Sequence, residues 1–281
     1  MNELTTFANP QVLEFYKALP FNYFGSVEKQ AESLASQNAV LSQPVLDQLL
    51  KKGGMRCLDV GCGAGWLANS IAYYYKLSTT GIDFNPVVVQ RAREVAHFLK
   101  LNTTFSVEDL FLYKPQHTFD VACSMGVLHH TDNCHKAVQH ICRNIISDKG
   151  YVYIGLYHYY GRKSFLEHFT RLKEQGYSEE QLYQRFKELR SGLTDETHTR
   201  SWFRDQAIHP HETQHTLEEM VEILKREDMT LISTSINRFE QFNSLEKLFE
   251  LEKMYEDLGR SRLKENKYFP GFFTFLARKN I

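Results

Sequence analysis

The sequence predicts an α/β protein built on a doubly wound, mostly parallel sheet of seven strands. Three observations support this class. Short apolar runs alternate with stretches of helical spacing, a glycine-rich turn joins the first run directly to a helix, and the second run ends in an acidic residue. A chain of 281 residues is also long enough to bury one large core.

The first strand lies within residues 55–68 and ends at three glycines. Gly61, Gly63 and Gly65 have the spacing G-x-G-x-G, whereas the dinucleotide-binding fingerprint requires G-x-G-x-x-G. Glycines here allow a tight turn, and they let a ligand approach the backbone N–H groups at the helix N-terminus. Asp59 adds a carboxylate at the end of the strand. The turn therefore predicts a ligand site with a spacing other than that of the dinucleotide type.

The second strand is predicted at 78–83, and a helix follows over 87–100. The strand ends in Asp83, and a carboxylate at this place can accept hydrogen bonds from both hydroxyls of a ribose. Because Asn85 stands just before Pro86, we expect Asn85 to cap the helix.

The third and fourth strands are predicted at 103–107 and 119–124. Because ligands bind at the carboxyl ends of parallel strands, the residues that follow these two strands are expected beside the glycine turn. The residues in question are Glu108, Asp109 and Leu110 after the third strand, and Met125, His129 and His130 after the fourth.

These four segments, in this order and at these separations, resemble the class I S-adenosylmethionine (SAM) methyltransferases. The resemblance implies a Rossmann-like fold, SAM as the cofactor and S-adenosylhomocysteine as the product. It implies that Asp59 and the glycines surround the methionine end of the cofactor, and that Asp83 binds the ribose. The implied cofactor contacts are Asp59, Gly61, Cys62, Gly63, Asp83, Phe84 against the adenine, Asp109 and Leu110 near its amino group, Met125 and Tyr16.

The remaining elements complete the sheet. Helical spacing over 133–146 precedes a fifth strand at 150–156. A sixth strand is predicted at 229–236, followed by a helix over 244–264 and a seventh strand at 272–278. The resemblance implies that the last strand runs antiparallel to the others.

Two segments lie outside this core, so we expect the chain to have four parts. In the first, a broken helical run is predicted over 27–50, and Tyr16 and Tyr23 are candidates for contact with cofactor or substrate. The alternative is that the aromatics of this segment only pack a helix on the sheet. The four parts are a helical and aromatic segment over the cofactor site (1–50), the SAM-binding core (51–157), an inserted cap (158–228) and the completion of the core (229–281).

The inserted cap is predicted to contain two charged helices, over 164–175 and 179–189, followed by a polar loop. Trp202 and His211 in this loop are candidate substrate contacts. A capping box at Thr216 starts the next helix, which runs to Lys225.

A metal site is the alternative function for that loop, because His209, His211, Glu212 and His215 stand close together in the sequence. The spacing H-P-H-E-x-x-H differs from the H-E-x-x-H of helical zinc sites, and a helix that starts at Thr216 leaves the histidines before it. We therefore expect no metal here, and a polar loop that orients a substrate instead.

Histidine side chains are the first candidates for catalysis, since a SAM-dependent transfer needs the acceptor aligned and its proton removed. His130, after the fourth strand, is the principal candidate for a base or substrate orienter. Tyr157 and His209 are further catalytic candidates. His129 is a candidate substrate contact that could instead turn inward as a structural residue.

The charge balance and one segment of the sequence indicate which class of acceptor to expect. Lys and Arg number 33 against 34 Asp and Glu, so the chain has no net positive charge that would attract a nucleic acid. The segment 124–127 replaces the Asn/Asp-Pro-Pro-Tyr/Phe run that is typical of enzymes acting on base amines or glutamine amides. We therefore expect a small-molecule acceptor. The oligomeric state and the atom that is methylated are not encoded.

Five cysteines, an odd number, suggest reduced thiols and a cytoplasmic protein, and no signal peptide or membrane span is predicted. Three alternatives stay open: an enzyme that makes another SAM-derived product, which an anion-binding arginine such as Arg204 would favour; a non-catalytic SAM-binding protein; and a macromolecular methyltransferase that docks through the helices of 160–200.

Overall fold

A computed structural model describes residues 9–280 and confirms the α/β class. Seven strands form one sheet in the order β3-β2-β1-β4-β5-β7-β6. All neighbours pair in parallel except β7, which runs antiparallel to β5 and β6 as expected. The strands are β1 (Arg56–Val60), β2 (Ser78–Asp83), β3 (Thr103–Val107), β4 (Phe119–Met125), β5 (Ile146–Tyr157), β6 (Met229–Thr234) and β7 (Phe272–Lys279).

Helices cover both faces of the sheet and build the inserted cap. A 3₁₀ turn at Leu128–His130 follows β4, and a π turn at Ile141–Ile145 leads into β5. The α-helices are α1 (Pro10–Ala18), α2 (Val27–Ser36), α3 (Pro44–Leu50), α4 (Trp66–Tyr75), α5 (Pro86–Phe98), α6 (Cys134–His140), α7 (Tyr159–Glu174), α8 (Glu179–Leu189), α9 (Glu196–Ala207), α10 (Leu217–Arg226), α11 (Leu245–Lys253) and α12 (Tyr255–Lys264).

Side chains of each strand alternate between two apolar layers, as the pleat requires. In β4, Val121 and Cys123 pack on one face with α3 and α4, whereas Ala122 packs on the other face with α6 and α10. The chain reverses its direction of strand addition between β1 and β4, and open α/β sheets bind ligands at such a switch point. The fold therefore places the site at the carboxyl ends of β1 and β4.

The cap differs from the predicted one because it contains four helices rather than three. Residues 202–207, expected in a loop, form the last turns of α9, whose N-terminus is capped by the Asp195 side chain accepting from the His198 N–H. The first cap helix begins at Tyr159 rather than at 164, since the His158 ring caps it. Aromatic residues of α7, α8 and α9 form a separate small core: Phe165, Phe169, Tyr183, Phe186 and Phe203.

Other boundaries also shift for local reasons. The run 27–50 divides into α2 and α3, and Pro44 starts α3. The run 244–264 divides at Met254 into α11 and α12. The capping box at Thr216 and the free state of all five cysteines agree with prediction. Within residues 9–280, no helix has the length and apolar character needed to cross a membrane.

Candidate active site

A cavity of about 320 Å³ opens at the carboxyl ends of β1, β2 and β4. Its lining comes from the glycine turn, the residues after β2, β3 and β4, helix α1 and the segments around residues 21 and 43. All ten predicted cofactor contacts line this cavity: Tyr16, Asp59, Gly61, Cys62, Gly63, Asp83, Phe84, Asp109, Leu110 and Met125.

The glycine turn packs against the segment after β4. Gly61 has φ 69°, and a Cβ there would lie 2.3 Å from Cγ1 of Val127, so the position requires glycine. Gly63 also has a positive φ, but a Cβ there would meet no atom within 4 Å. The turn is thus closed on the Val127 side and open at Gly63.

Two buried carboxylates hold the turn and the helix after it. Asp59 Oδ2 accepts from the Ala68 N–H of α4 at 3.0 Å, and Asp83 accepts from the N–H groups of Gly63 and Asn85, each at 2.9 Å. Burial raises the pKa of Asp59 to about 7 and that of Asp83 to about 6. Asn85 caps α5 through the Val87 N–H, as predicted.

Asp109 offers a free acceptor to the cavity. Its Oδ1 accepts from the Phe111 N–H at 2.8 Å, while its Oδ2 is buried and has no hydrogen-bond partner among residues 9–280. A buried, unpartnered carboxylate oxygen costs free energy unless a ligand donor meets it. The position therefore fits the amino group of an adenine, which donates hydrogen bonds.

His130 presents a free ring nitrogen at the other end of the cavity. Its Nδ1 lies 2.9 Å from the His211 carbonyl oxygen, which can only accept, so Nδ1 carries the proton and Nε2 carries the lone pair. Nε2 is buried without a hydrogen-bond partner in the described part of the chain, and Asp205 Oδ1 lies 3.8 Å away. Burial lowers the pKa of His130 to about 4, which keeps the ring neutral at pH 7.

The Asp205 carboxylate of α9 accepts three hydrogen bonds behind this end of the cavity. Tyr16 Oη donates to its Oδ1 at 2.6 Å, and Tyr157 Oη and Gln206 Nε2 donate to its Oδ2 at 2.8 and 2.7 Å. Burial raises the pKa of the Asp205 carboxyl. The network joins α1 to the cap, so it holds α1 across the cavity.

The structure places the other two catalytic candidates outside the cavity lining. Tyr157 does not line the cavity, because its hydroxyl is turned to Asp205 and its ring lies under the Arg162 guanidinium at 4.0 Å. His209 also lies outside the lining, stacked on His130 with ring centroids 3.8 Å apart. Both residues instead contact the His130 ring, with ring centroids 5.7 Å away for Tyr157 and 3.8 Å away for His209.

The four predicted substrate contacts also lie outside the cavity lining. Tyr23 packs under the Arg91 guanidinium at 4.2 Å, and its neighbour Phe21 faces the cavity instead. Trp202 lies on α9 and donates from Nε1 to His198 Nε2 at 2.9 Å, since its segment is helical rather than a loop.

His129 and His211 have structural contacts in place of the predicted substrate contacts. His129 stacks on Tyr157 at 4.0 Å and accepts from its N–H, as in the inward alternative. His211 is bonded through Nε2 to the Thr131 carbonyl at 3.2 Å. The side chains of His209, His211 and His215 therefore make separate contacts rather than converging on one point.

No sequence pattern indicates the buried Arg162–Glu212 pair behind Tyr157. Arg162 donates to Glu212 from Nη2 at 2.8 Å and from Nε at 3.0 Å, and its other two hydrogen bonds go to Gln206. An arginine in a charged amphipathic helix is usually solvated, so only the tertiary contact distinguishes this one. Asp205 and Gln206 likewise lacked a local signal.

A family model described as a methyltransferase domain matches residues 34–222. The chain belongs to this methyltransferase family. The cavity residues fit S-adenosylmethionine, the cofactor that the sequence resemblance implies, through the open Gly63 and the unpartnered Asp109 oxygen.

Among curated relatives, the ubiquinone biosynthesis O-methyltransferase of Glaesserella parasuis serovar 5 (strain SH0165) is 34% identical over 110 residues, which are 36% of this chain and 44% of that protein. The chain therefore matches less than half the length of that relative. The plantazolicin methyltransferase BpumL in complex with S-adenosylhomocysteine gives a TM-score of 0.51 at 18% identity, covering 97% of this chain and 96% of the other.

A putative sarcosine dimethylglycine methyltransferase from Galdieria sulphuraria gives a TM-score of 0.52 at 14% identity, covering 97% of this chain and 99% of the other. At these identities the two structural matches speak for the fold alone.

Proposed function

We propose that this methyltransferase transfers the methyl group of SAM to a small molecule, and that His130 removes the acceptor's proton. The observation that carries the proposal is the buried, unpartnered Nε2 of His130 at the edge of the cavity. When bound, SAM supplies a methyl group activated by a sulfonium leaving group. The protein must then align the acceptor, exclude water and accept a proton.

At the cofactor end, we propose that two carboxylates and the glycine turn each bind a different part of SAM. Asp109 Oδ2 is proposed to accept from the adenine amino group. Asp83 is proposed to bind the ribose, because a carboxylate that accepts two backbone N–H groups still has lone pairs for hydroxyl donors. Gly63, with open space above it, lets the methionine portion approach the backbone.

The rest of the lining describes the acceptor. Apolar side chains form the wall between α1, α3 and the sheet: Val12, Phe21, Leu46, Met125 and Tyr153. The described lining contains Asp59, Asp83, Glu108 and Asp109 but no lysine or arginine. An anionic acceptor would find no cation to offset its desolvation. The acceptor we propose has an apolar body, no negative charge and a proton-bearing oxygen or nitrogen near His130.

The geometry around His130 suits proton transfer. The bond from Nδ1 to the His211 carbonyl fixes the ring, and the Asp205 carboxylate, 3.8 Å from Nε2, favours the imidazolium that forms. Burial keeps the ring neutral before the reaction, so its lone pair is available at neutral pH.

The alternative products are less well supported. A second SAM-derived product with an anionic group would require a cation at the methyl site. Arg204 is turned away from it: the guanidinium stacks on the Phe15 ring at 4.4 Å and donates to the Phe15 carbonyl. Coverage of the cavity by α1 also favours a small acceptor over a macromolecule, which would need an open approach.

The test uses methyl-labelled SAM and a desalted cell extract supplemented with its low-molecular-weight fraction. We expect label in the small-molecule pool, with loss of at least about 100-fold in rate for His130→Gln, the usual scale of general-base catalysis. His97→Gln, an exposed histidine on α5, is the matched control. Calorimetric SAM binding by His130→Gln must stay at the wild-type level. Label in protein or RNA, or full activity of His130→Gln, contradicts the proposal.

A further inference from the structure

Three side chains of the kinds that bind metals lie close together outside the cavity, at α6 and at the start of α10. His135 lies in α6, His215 precedes α10, and Glu219 lies in the first turn of α10. One ligand atom from each lies within 4.8 Å of the others. None of the three lines the cavity, so the cluster is separate from the active site.

The Glu219 carboxylate stands between the two imidazoles. Its Oε1 contacts His135 Nε2, and its Oε2 lies 3.0 Å from His215 Nδ1. The ring centroids are 5.5 Å apart. Two ring nitrogens and a carboxylate, from α6 and from the start of α10, thus lie within 4.8 Å of one another.

Two of the three ligands are held by contacts outside the cluster. His215 is fixed by backbone hydrogen bonds from its N–H to Tyr157 and to its carbonyl from Tyr159. The second nitrogen of its ring, Nε2, lies 2.8 Å from Thr213 Oγ1, the kind of outer contact that orients a metal-binding histidine. Glu219 is fixed by the capping box of α10.

The exposure of the cluster also suits a cation. The side chain of His215 is 6% exposed and that of His135 is 45% exposed. The cluster is therefore reached by solvent from the His135 side, so a water molecule can serve as a further ligand.

We propose that His135, His215 and Glu219 bind one divalent transition-metal ion, with Zn²⁺ as the best match to two imidazoles, a carboxylate and a water. Ligand atoms about 2.1 Å from a tetrahedral ion lie about 3.4 Å apart, so the atoms of the cluster, now within 4.8 Å of one another, need to approach by at most about 1.4 Å. The ion would join the segment after β4, which carries His130, to the segment before α10, which carries His211. This proposal stands independently of the proposed acceptor and base.

The test starts from the full-length protein after treatment with a chelator. Cobalt titration followed by its visible absorption, and zinc titration by calorimetry, are expected to give one equivalent of metal, with zinc displacing cobalt. His135→Ala and Glu219→Gln are each expected to weaken zinc binding at least about tenfold. Glu219→Gln keeps a side chain that can complete the capping box, so the helix start is preserved.

His97→Ala is the control for non-specific binding to exposed histidines, and its zinc affinity is expected to equal that of the wild type. The proposal is overturned if the wild type binds no zinc, or if its affinity equals that of His135→Ala. In either case the three side chains form only a hydrogen-bonded link between α6 and α10, and their loss would lower the unfolding temperature without any metal dependence.

Discussion

Replacement of the buried Arg162 by methionine tests how the cap is held behind the active site. The Arg162 side chain is fully buried, and its guanidinium makes two hydrogen bonds to Glu212, two to Gln206 and a stack on Tyr157. Removing one partner of a buried ion pair leaves the other charge uncompensated, at a cost of about 3–5 kcal/mol.

The neighbouring residue provides a matched control on the same helix. Lys163 pairs with Glu256 at 2.9 Å, but its side chain is 46% exposed. Water compensates the loss of such a pair, so Lys163→Met is expected to change the stability little. The two variants differ in burial while sharing the helix and the type of substitution.

Thermal unfolding gives the readout. At about 2.1 cal/mol/K per residue, the unfolding entropy of 281 residues is about 0.6 kcal/mol/K, so 3–5 kcal/mol corresponds to a Tm lower by about 5–8 °C. Adding Glu212→Gln to Arg162→Met should recover part of the loss, because the uncompensated charge is removed. Equal Tm changes for Arg162→Met and Lys163→Met would refute the assignment of the cost to burial.

Two further predictions concern the glycine turn and Asp83, which accepts a hydrogen bond from it. Gly61→Ala is expected to lower Tm more than Gly63→Ala in the same scan, since both positions have positive φ but only the Gly61 Cβ would clash, with Val127; equal losses would count against the steric reason. Asp83 has its pKa raised to about 6 by burial, so between about pH 4 and 6 the folded state binds more protons than the unfolded state and its stability falls as pH rises. Urea midpoints across this range should show that Asp83→Asn removes up to about 3 kcal/mol of that fall, and an unchanged pH dependence would contradict the raised pKa.

Sequence patterns were enough to predict the sheet and one end of the cavity. Asp59, Asp83 and Asp109 each lie close to the carboxyl end of a strand, and parallel strands bring those ends to one edge of the sheet. The structure puts all three in the lining of the cavity. His130 could be predicted for the same reason, because it stands just after β4.

Which residues of α1 and the cap reach the active site depends on contacts between segments that are far apart in the chain. Tyr16 and Asp205 are bonded although 189 positions separate them, and no local pattern encodes such a contact. Trp202 and Asp205 share α9, yet packing turns Trp202 into the cap and Asp205 toward Tyr16. Periodicity along a chain defines the faces of a helix, whereas the partner of each face depends on the assembled fold. The surroundings of His130 therefore could not be predicted without knowing how α1 and α9 pack in the folded protein.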